Sequence, residues 1–351
     1  MANIPATEAR SIFTKALIAI YQETPTPTAF LRSFFKMVEE GTKYLSIEVQ
    51  RGSEKIAVDV LRGTEGNRNT FSKSTEKIFY PPYYREFMDA TELDLYDRMF
   101  SPTGMVDENM VSNFAGLVAS KLKTLQAKIE RAYEKQCADV FETGIVSLVS
   151  GDAIDFKRKA ASLVDKGAGN YWATGAVDPF ADLTAAGTFL RQVGKSQGGT
   201  LNAIFGSTAL SDLLKNTTFT TRQNLFNMAL DMVAAPQRNS VGASFQGQLT
   251  AGTFKVNIWS YPEFYDNGAG VSTPYMNPKN VVVLPENPNF VLGFAAVPQL
   301  IMNGGVSAVK GAYKISEKMD EYNAVHQFDI KSAGLAIPVA VDQIYTVKVV
   351  A

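Results

Sequence analysis

VGKS, residues 193–196, is the nearest approach in the chain to a phosphate-binding loop. Such a loop needs a glycine five positions before the Gly-Lys pair, so that bare backbone amides can wrap the phosphates. Phe189 stands there, and the residues before it follow a helical pattern. VGKS therefore reads as the end of a helix, with its glycine in the left-handed cap. His326 is the chain's one histidine. It lies in NAVHQFDIK, whose alternation is that of a strand. A Ser-His-Asp triad would need a G-x-S-x-G elbow, and GASFQG, 242–247, has one residue too many. Cys137 is the one cysteine, so no intramolecular disulfide forms. One histidine and one cysteine do not make a zinc site of three or four such ligands. Asp89, Glu92, Asp94 and Asp97 are close in sequence, but Leu93, Leu95 and Tyr96 alternate with them. They read as a solvated helical face, not as a paired-acid site. The expectation is no catalytic residue, no cofactor and no metal, in a protein that is not an enzyme.

The 351 residues hold 34 basic and 35 acidic side chains, a net charge of −1, with 46% hydrophobic residues. That is an ordinary globular balance with material for a sizeable core. It lacks the basic excess of a dedicated nucleic-acid binder. ALIAI, 16–20, is too short for a secretory signal, and no run nears the roughly 20 apolar residues of a membrane span. The chain reads as soluble and made in a cytoplasm.

Among the elements, residues 106–143 are the clearest. Val111, Phe114, Val118, Leu122, Leu125, Ile129, Ala132 and Val140 recur at helical spacings, with Asp107 as N-cap and Gly144 past the end. The spacing predicts a helix of about 50 Å, against an average of about 11 to 12 residues in globular proteins. Residues 1–43 hold an amphipathic segment (Ile12, Phe13, Ala16, Leu17, Ile20), the extended ETPTPT and then AFLRSFFKMVEE; they read as an arm. YLSIEVQRG and KIAVDVLRG alternate like half-buried strands, and residues 50–88 read as a long extended hairpin. GIVSLVSGDAIDF, 144–156, is a second hairpin. VDPFADL leads into a helix over 182–193, LNAIFG is a buried strand, and Ser207 caps STALSDLLKN. NLFNMALDMV is a further helix; TFKVNIWSY, NVVVLP, FVLGFAAVP and the tail are strands. The fold class is α+β.

One stretch fits no core element. RNTFSKSTEKIFYPPYYREF, residues 68–87, interleaves cations with rings and carries two prolines, which suit an exposed or edge strand. Stacking on single-stranded nucleic acid would want a wider basic field. A protein surface fits better, because aromatics and arginine are enriched at interfaces.

The ordered series resembles the lambda-type (E family) major capsid proteins of tailed phages. It runs from FLRSFFK after a proline-rich arm, through an extended loop, a long helix and GIVSLVSGDAIDF, to VDPFADL opening an α/β region. The resemblance covers nearly the whole chain and implies the Hong Kong 97-type capsid fold. It implies an N-terminal arm over 1–43 and an E-loop with flanking strands over 44–105. A peripheral (P) domain with its spine helix would span 106–181 and an axial (A) domain 182–325, with strands 326–351 returning to the P domain. The implied function is that of a major capsid protein assembling into an icosahedral head around double-stranded DNA. Its partners would be itself, as hexamers and pentamers, with a separate scaffold, a portal and a decoration protein, and no membrane. It would reside in the virion after assembly in the host cytoplasm. Arg68, Phe71, Lys73, Lys77, Phe79, Tyr80, Tyr83, Tyr84 and Arg85 would then meet a neighbouring subunit, and Phe30, Leu31, Phe34 and Phe35 would make the arm's contacts. Lys73 and Lys77 are placed as donors for the lysine–asparagine cross-link of some such capsids, but no acceptor signature is visible. The alternatives are an encapsulin-like nanocompartment shell, a soluble α+β enzyme, and an unrelated coiled-coil structural protein.

Overall fold

The computed structural model describes residues 27–50, 74–91, 110–148, 151–174, 177–226, 242–268, 270–300, 306–320 and 325–351. Its axis is α1, Met110–Glu142. Of the residues the spacing named, Leu125, Ile129 and Val140 are buried and Leu122 and Ala132 half-buried; Tyr133, Cys137 and Phe141 join them in the core. Gly144 closes it at φ +74°, and its N–H donates to the Asp139 carbonyl at 3.0 Å. A side chain there is excluded twice, by the positive φ and by Arg158, whose Cδ stands 2.5 Å from the Cβ position.

Three short helices follow: α2, Pro179–Gln192; α3, Ser207–Lys215; and α4, Thr217–Phe226. Helix α2 starts earlier than residue 182, because Asp178 caps the Phe180 N–H and Pro179 takes the first turn, where a missing donor costs nothing. The cap of α3 is Gly206, not Ser207, and no side chain completes it.

The main sheet orders β7 (Leu163–Asp165), β20 (Tyr345–Lys348), β13 (Asn280–Pro285), β8 (Thr200–Phe205), β10 (Phe254–Ser260) and β9 (Ser244–Ala251). After their first residues, Thr200 and Asn280, the central strands β8 and β13 are apolar runs broken only by Asn202, as strands covered on both faces should be. Asn202 is satisfied in place: its Oδ1 accepts from Asn257 Nδ2 at 3.2 Å and Trp259 Nε1 at 3.3 Å. A second sheet orders β1 (Lys36–Glu39), β14 (Phe290–Phe294) and β19 (Gly334–Pro338). A third orders β17 (Lys314–Asp320), β18 (Val325–Ser332) and β4 (Tyr84–Thr91). Four two-stranded ribbons complete the described strands. They are β2 (Leu45–Gln50) with β3 (Ser74–Phe79), β5 (Ile145–Ser147) with β6 (Ala153–Asp155), β11 (Phe264–Asp266) with β12 (Ser272–Pro274), and β15 (Val297–Leu300) with β16 (Val306–Val309).

The sheets cross the boundaries drawn at 182 and 326. β7 joins the main sheet from one side of the chain and β20 from the other, and β19 pairs with β14. Two apolar clusters result. One gathers the inner face of α1 with β14, β19 and Phe30–Phe35; the other packs α2, α3 and Trp172 on the main sheet.

Gly334 shows how tightly the first is filled. A Cβ there would lie 2.7–2.8 Å from the ring and hydroxyl of Tyr133. Tyr133 is fully buried and its Oη is bonded to Ser332 Oγ at 2.5 Å, so it has nowhere to turn. Gly334→Ala should cost about 1–3 kcal/mol by overpacking, read as a lower urea midpoint at an unchanged slope.

Candidate functional site

The segment read as an arm comes first, because its described part is not one. Leu31–Phe34 form a 3-10 turn and Lys36–Glu39 pair in parallel with β14. Phe30, Leu31, Phe34 and Phe35 are buried in the chain's own core. Phe30 meets Trp259 and Tyr261 at ring distances of 5.0 and 5.8 Å; Phe35 meets Phe141 and Phe290, both at 5.3 Å. The contacts expected of these four residues are therefore intrachain. The physical reason is their density: four large apolar groups in six positions bury more than an exposed strap could leave in water. Only residues 1–26 of the expected arm remain, and they lie outside the described residues.

Arg32 explains why this plug enters where it does. Glu134, fully buried on α1, accepts from the Leu31 and Arg32 N–H groups at 2.8 and 3.2 Å, from Arg32 Nε at 3.3 Å and from the Tyr261 hydroxyl at 3.0 Å. Glu130, one turn away, receives Arg32 Nη2 at 3.4 Å. Burial holds the Glu134 carboxyl above its ordinary range against all these donors. Burial would lower the guanidinium, but Glu134 and Glu130 outweigh it and raise Arg32.

The stretch 68–87 divides into three. Arg68, Phe71 and Lys73 lie outside the described residues. Phe79, Tyr84 and Arg85 are engaged within the chain. Phe79 packs on Phe156 at 5.4 Å. Tyr84 meets Tyr133 edge-on at 5.4 Å and accepts from Gln136 Nε2 at 2.7 Å. Arg85 grips Asp329 through Nε at 2.9 Å and Nη2 at 2.8 Å. Lys77, Tyr80 and Tyr83 remain exposed. The structure adds Met37 and Ile78, and Phe87, a ring of the same stretch that was not among the expected contact residues; with Tyr80 and Tyr83 they are 48–63% exposed. The signal for Phe87 was the period of two along Tyr83 and β4: Tyr83, Arg85 and Phe87 are exposed, while Tyr84 and Met88 pack inward.

The ribbon β2–β3 that carries Ile78 is held at its base by Leu45 and Phe79. A two-stranded ribbon is marginally stable alone in water. Among the described residues β4 is an edge strand of its sheet, and it carries Phe87. A cluster of exposed apolar side chains of this kind is the usual mark of an interaction surface.

Asp329 anchors this sheet. Burial would raise its carboxyl, but the Ser316 hydroxyl, Lys331 and Arg85 together hold it below its ordinary value. A depressed carboxyl contributes stability above the ordinary value of 3.8, and that contribution is lost as pH falls through the lowered one. Asp329→Asn should therefore flatten the acid limb of the stability curve and lower stability at neutral pH.

VGKS sits at the C-terminus of α2, but the left-handed residue is Lys195, at φ +53°, not Gly194. Gly194 is there for space: a Cβ would lie 2.6 Å from the Asp342 carbonyl oxygen. The Ser196 hydroxyl bonds to the Leu190 carbonyl at 2.9 Å and is closed to a phosphate. Cys137 is buried. His326 lies on β18, its backbone opposite Met319 and Ala90. Asp89 is exposed on β4, while Glu92, Asp94 and Asp97 lie outside the described residues. Among the described residues no metal-holding group of three His, Cys, Asp or Glu comes together, and no helix is long and apolar enough to cross a membrane.

The family model of the phage major capsid protein E matches residues 13–349. The chain belongs to that family. It is thus a phage major capsid protein, a structural component of the virion. A crystal structure of a protein assigned as the capsid protein of an Escherichia coli CFT073 prophage aligns with a TM-score of 0.63 at 14% identity, covering 93% of this chain and 94% of that one. The capsid chain of cyanophage A-1(L) aligns at 0.53 and 12%, covering 94% and 95%. The mature capsid chain of bacteriophage PhiM1 aligns at 0.50 and 12%, covering 93% and 89%. At these identities the likeness is one of fold, the α+β fold of the Hong Kong 97 type. A comparison with curated protein sequences finds no match. Membership of the capsid family sets the nanocompartment reading second.

Proposed function

We propose that this subunit builds a closed icosahedral head of hexamers and pentamers by laying the β2–β3 ribbon and the outer face of β4 over a neighbouring copy. The observation that carries this is the set of exposed apolar side chains Ile78, Tyr80, Tyr83 and Phe87 in one continuous stretch, in a chain of the capsid family. Lys77, with Arg68 and Lys73, would add ion pairs, each contributing about 0–1 kcal/mol. Summed around a closed shell, weak contacts become strong by multivalency. The head would enclose double-stranded DNA without reading its sequence, since net charge is −1. Assembly would take place in the host cytoplasm with a separate scaffold, a portal and a decoration protein as partners, and no step would need a catalytic residue. A photo-cross-linking amino acid at Tyr80 tests the contact. Assembled particles should yield covalent dimers joining that position to another copy; label confined to its own chain would refute it.

A further inference from the structure

At the turn of the β11–β12 hairpin, Asn267 and Gly268 are exposed. The Asn267 N–H donates to the Val271 carbonyl at 3.3 Å. One carboxylate oxygen of Asp266 accepts from Gly268 N–H at 2.9 Å and from Gly270 N–H at 3.1 Å. Gly268 has φ +84°, and nothing lies within 4 Å of the position a Cβ would take. The amide nitrogen following an asparagine thus belongs to a residue with no side chain and open space around its Cα, and it is hydrogen-bonded to a carboxylate.

We propose that Asn267–Gly268 is a self-modification site, at which the backbone nitrogen of Gly268 closes on the side chain of Asn267 with Asp266 as the base. The Gly268 nitrogen forms a bond to Asn267 Cγ and passes its proton to Asp266. The Cγ–Nδ2 bond breaks, and the proton is returned to the departing nitrogen, which leaves as ammonia. The product is a five-membered succinimide. Solvent water then opens one of its two C–N bonds, giving aspartate or isoaspartate, and nothing is oxidised or reduced. Either product sets a second carboxylate beside Asp266. The isoaspartate also lengthens the main chain by one methylene, which breaks the Asn267–Val271 pairing. The hairpin carries exposed Phe264 and Val271, so the change alters the charge of an apolar surface with time. It stands apart from the shell reading.

The test is peptide mass mapping of the full-length protein incubated at mildly alkaline pH. A synthetic peptide of residues 262–276 is the unfolded reference. The wild type should exchange the Asn267 amide for an acid, with isoaspartate among the products, and Asn267→Gln should not. Asp266→Asn keeps an acceptor oxygen but no base, and should slow conversion several-fold. An unmodified Asn267 after the peptide has converted would overturn the site. Conversion in Asp266→Asn as fast as in the wild type, or faster, would overturn the role of Asp266.

Discussion

Arg32→Met should destabilise the subunit by about 3–5 kcal/mol, the cost of leaving a buried charge without its partner. Glu134 has no route to water. It would keep the Leu31 N–H and the Tyr261 hydroxyl but lose the guanidinium. With its counter-charge gone, its carboxyl would rise further. A folded value above the unfolded one means the native state binds the extra proton, so stability increases as pH falls through that window. The deficit of Arg32→Met should therefore be smaller in mild acid than at neutral pH. The double variant Arg32→Met/Glu134→Gln removes the stranded charge and keeps an acceptor. It should be more stable at neutral pH than Arg32→Met alone. Urea unfolding of the three proteins at two pH values checks both signs, and strictly additive losses would show that the pair is not coupled.

The second large effect should appear in assembly with no change in the subunit. Tyr80→Ser/Tyr83→Ser removes two rings that are 63% and 48% exposed. Tyr80 meets the ring of Tyr44, itself exposed, at 6.4 Å. Subunit stability should stay within about 0.5 kcal/mol of the wild type, as for ordinary surface changes. Particle yield should collapse, because every copy loses the same contact. Tyr84→Ser, one residue further on, should do the reverse and lower stability through the lost packing on Tyr133 and the lost acceptor for Gln136. Measuring thermal midpoint and particle yield side by side separates the two classes.

What the sequence disclosed followed from periodicity. The apolar stripe of α1 and the apolar runs of β8 and β13 are local patterns, and local patterns survive folding. The resemblance placed the chain in its family because the elements come in order. The plug was not legible. FLRSFF has no period that tells a strap on a neighbour from a wedge in its own core, and Glu134 lies 102 residues from Arg32. The division of 79–87 into inward and outward residues was half legible. Alternation was present, but which parity faces α1 is set by Gln136 and Tyr133, remote in sequence. Lys195 in place of Gly194 as the left-handed residue was hidden too. Gly194 owes its place to the Asp342 carbonyl, which only the returned tail brings near.

The measurement that tests the account most directly is electron microscopy of the purified protein after co-expression with a candidate scaffold, beside the Tyr80→Ser/Tyr83→Ser variant. Closed shells or hexamer sheets from the wild type, and a folded but unassembled variant, are the predicted result. Shells of equal yield from both would contradict the assignment of the contact surface to this stretch. A wild-type subunit that stays monomeric with the scaffold present would contradict its role as the shell.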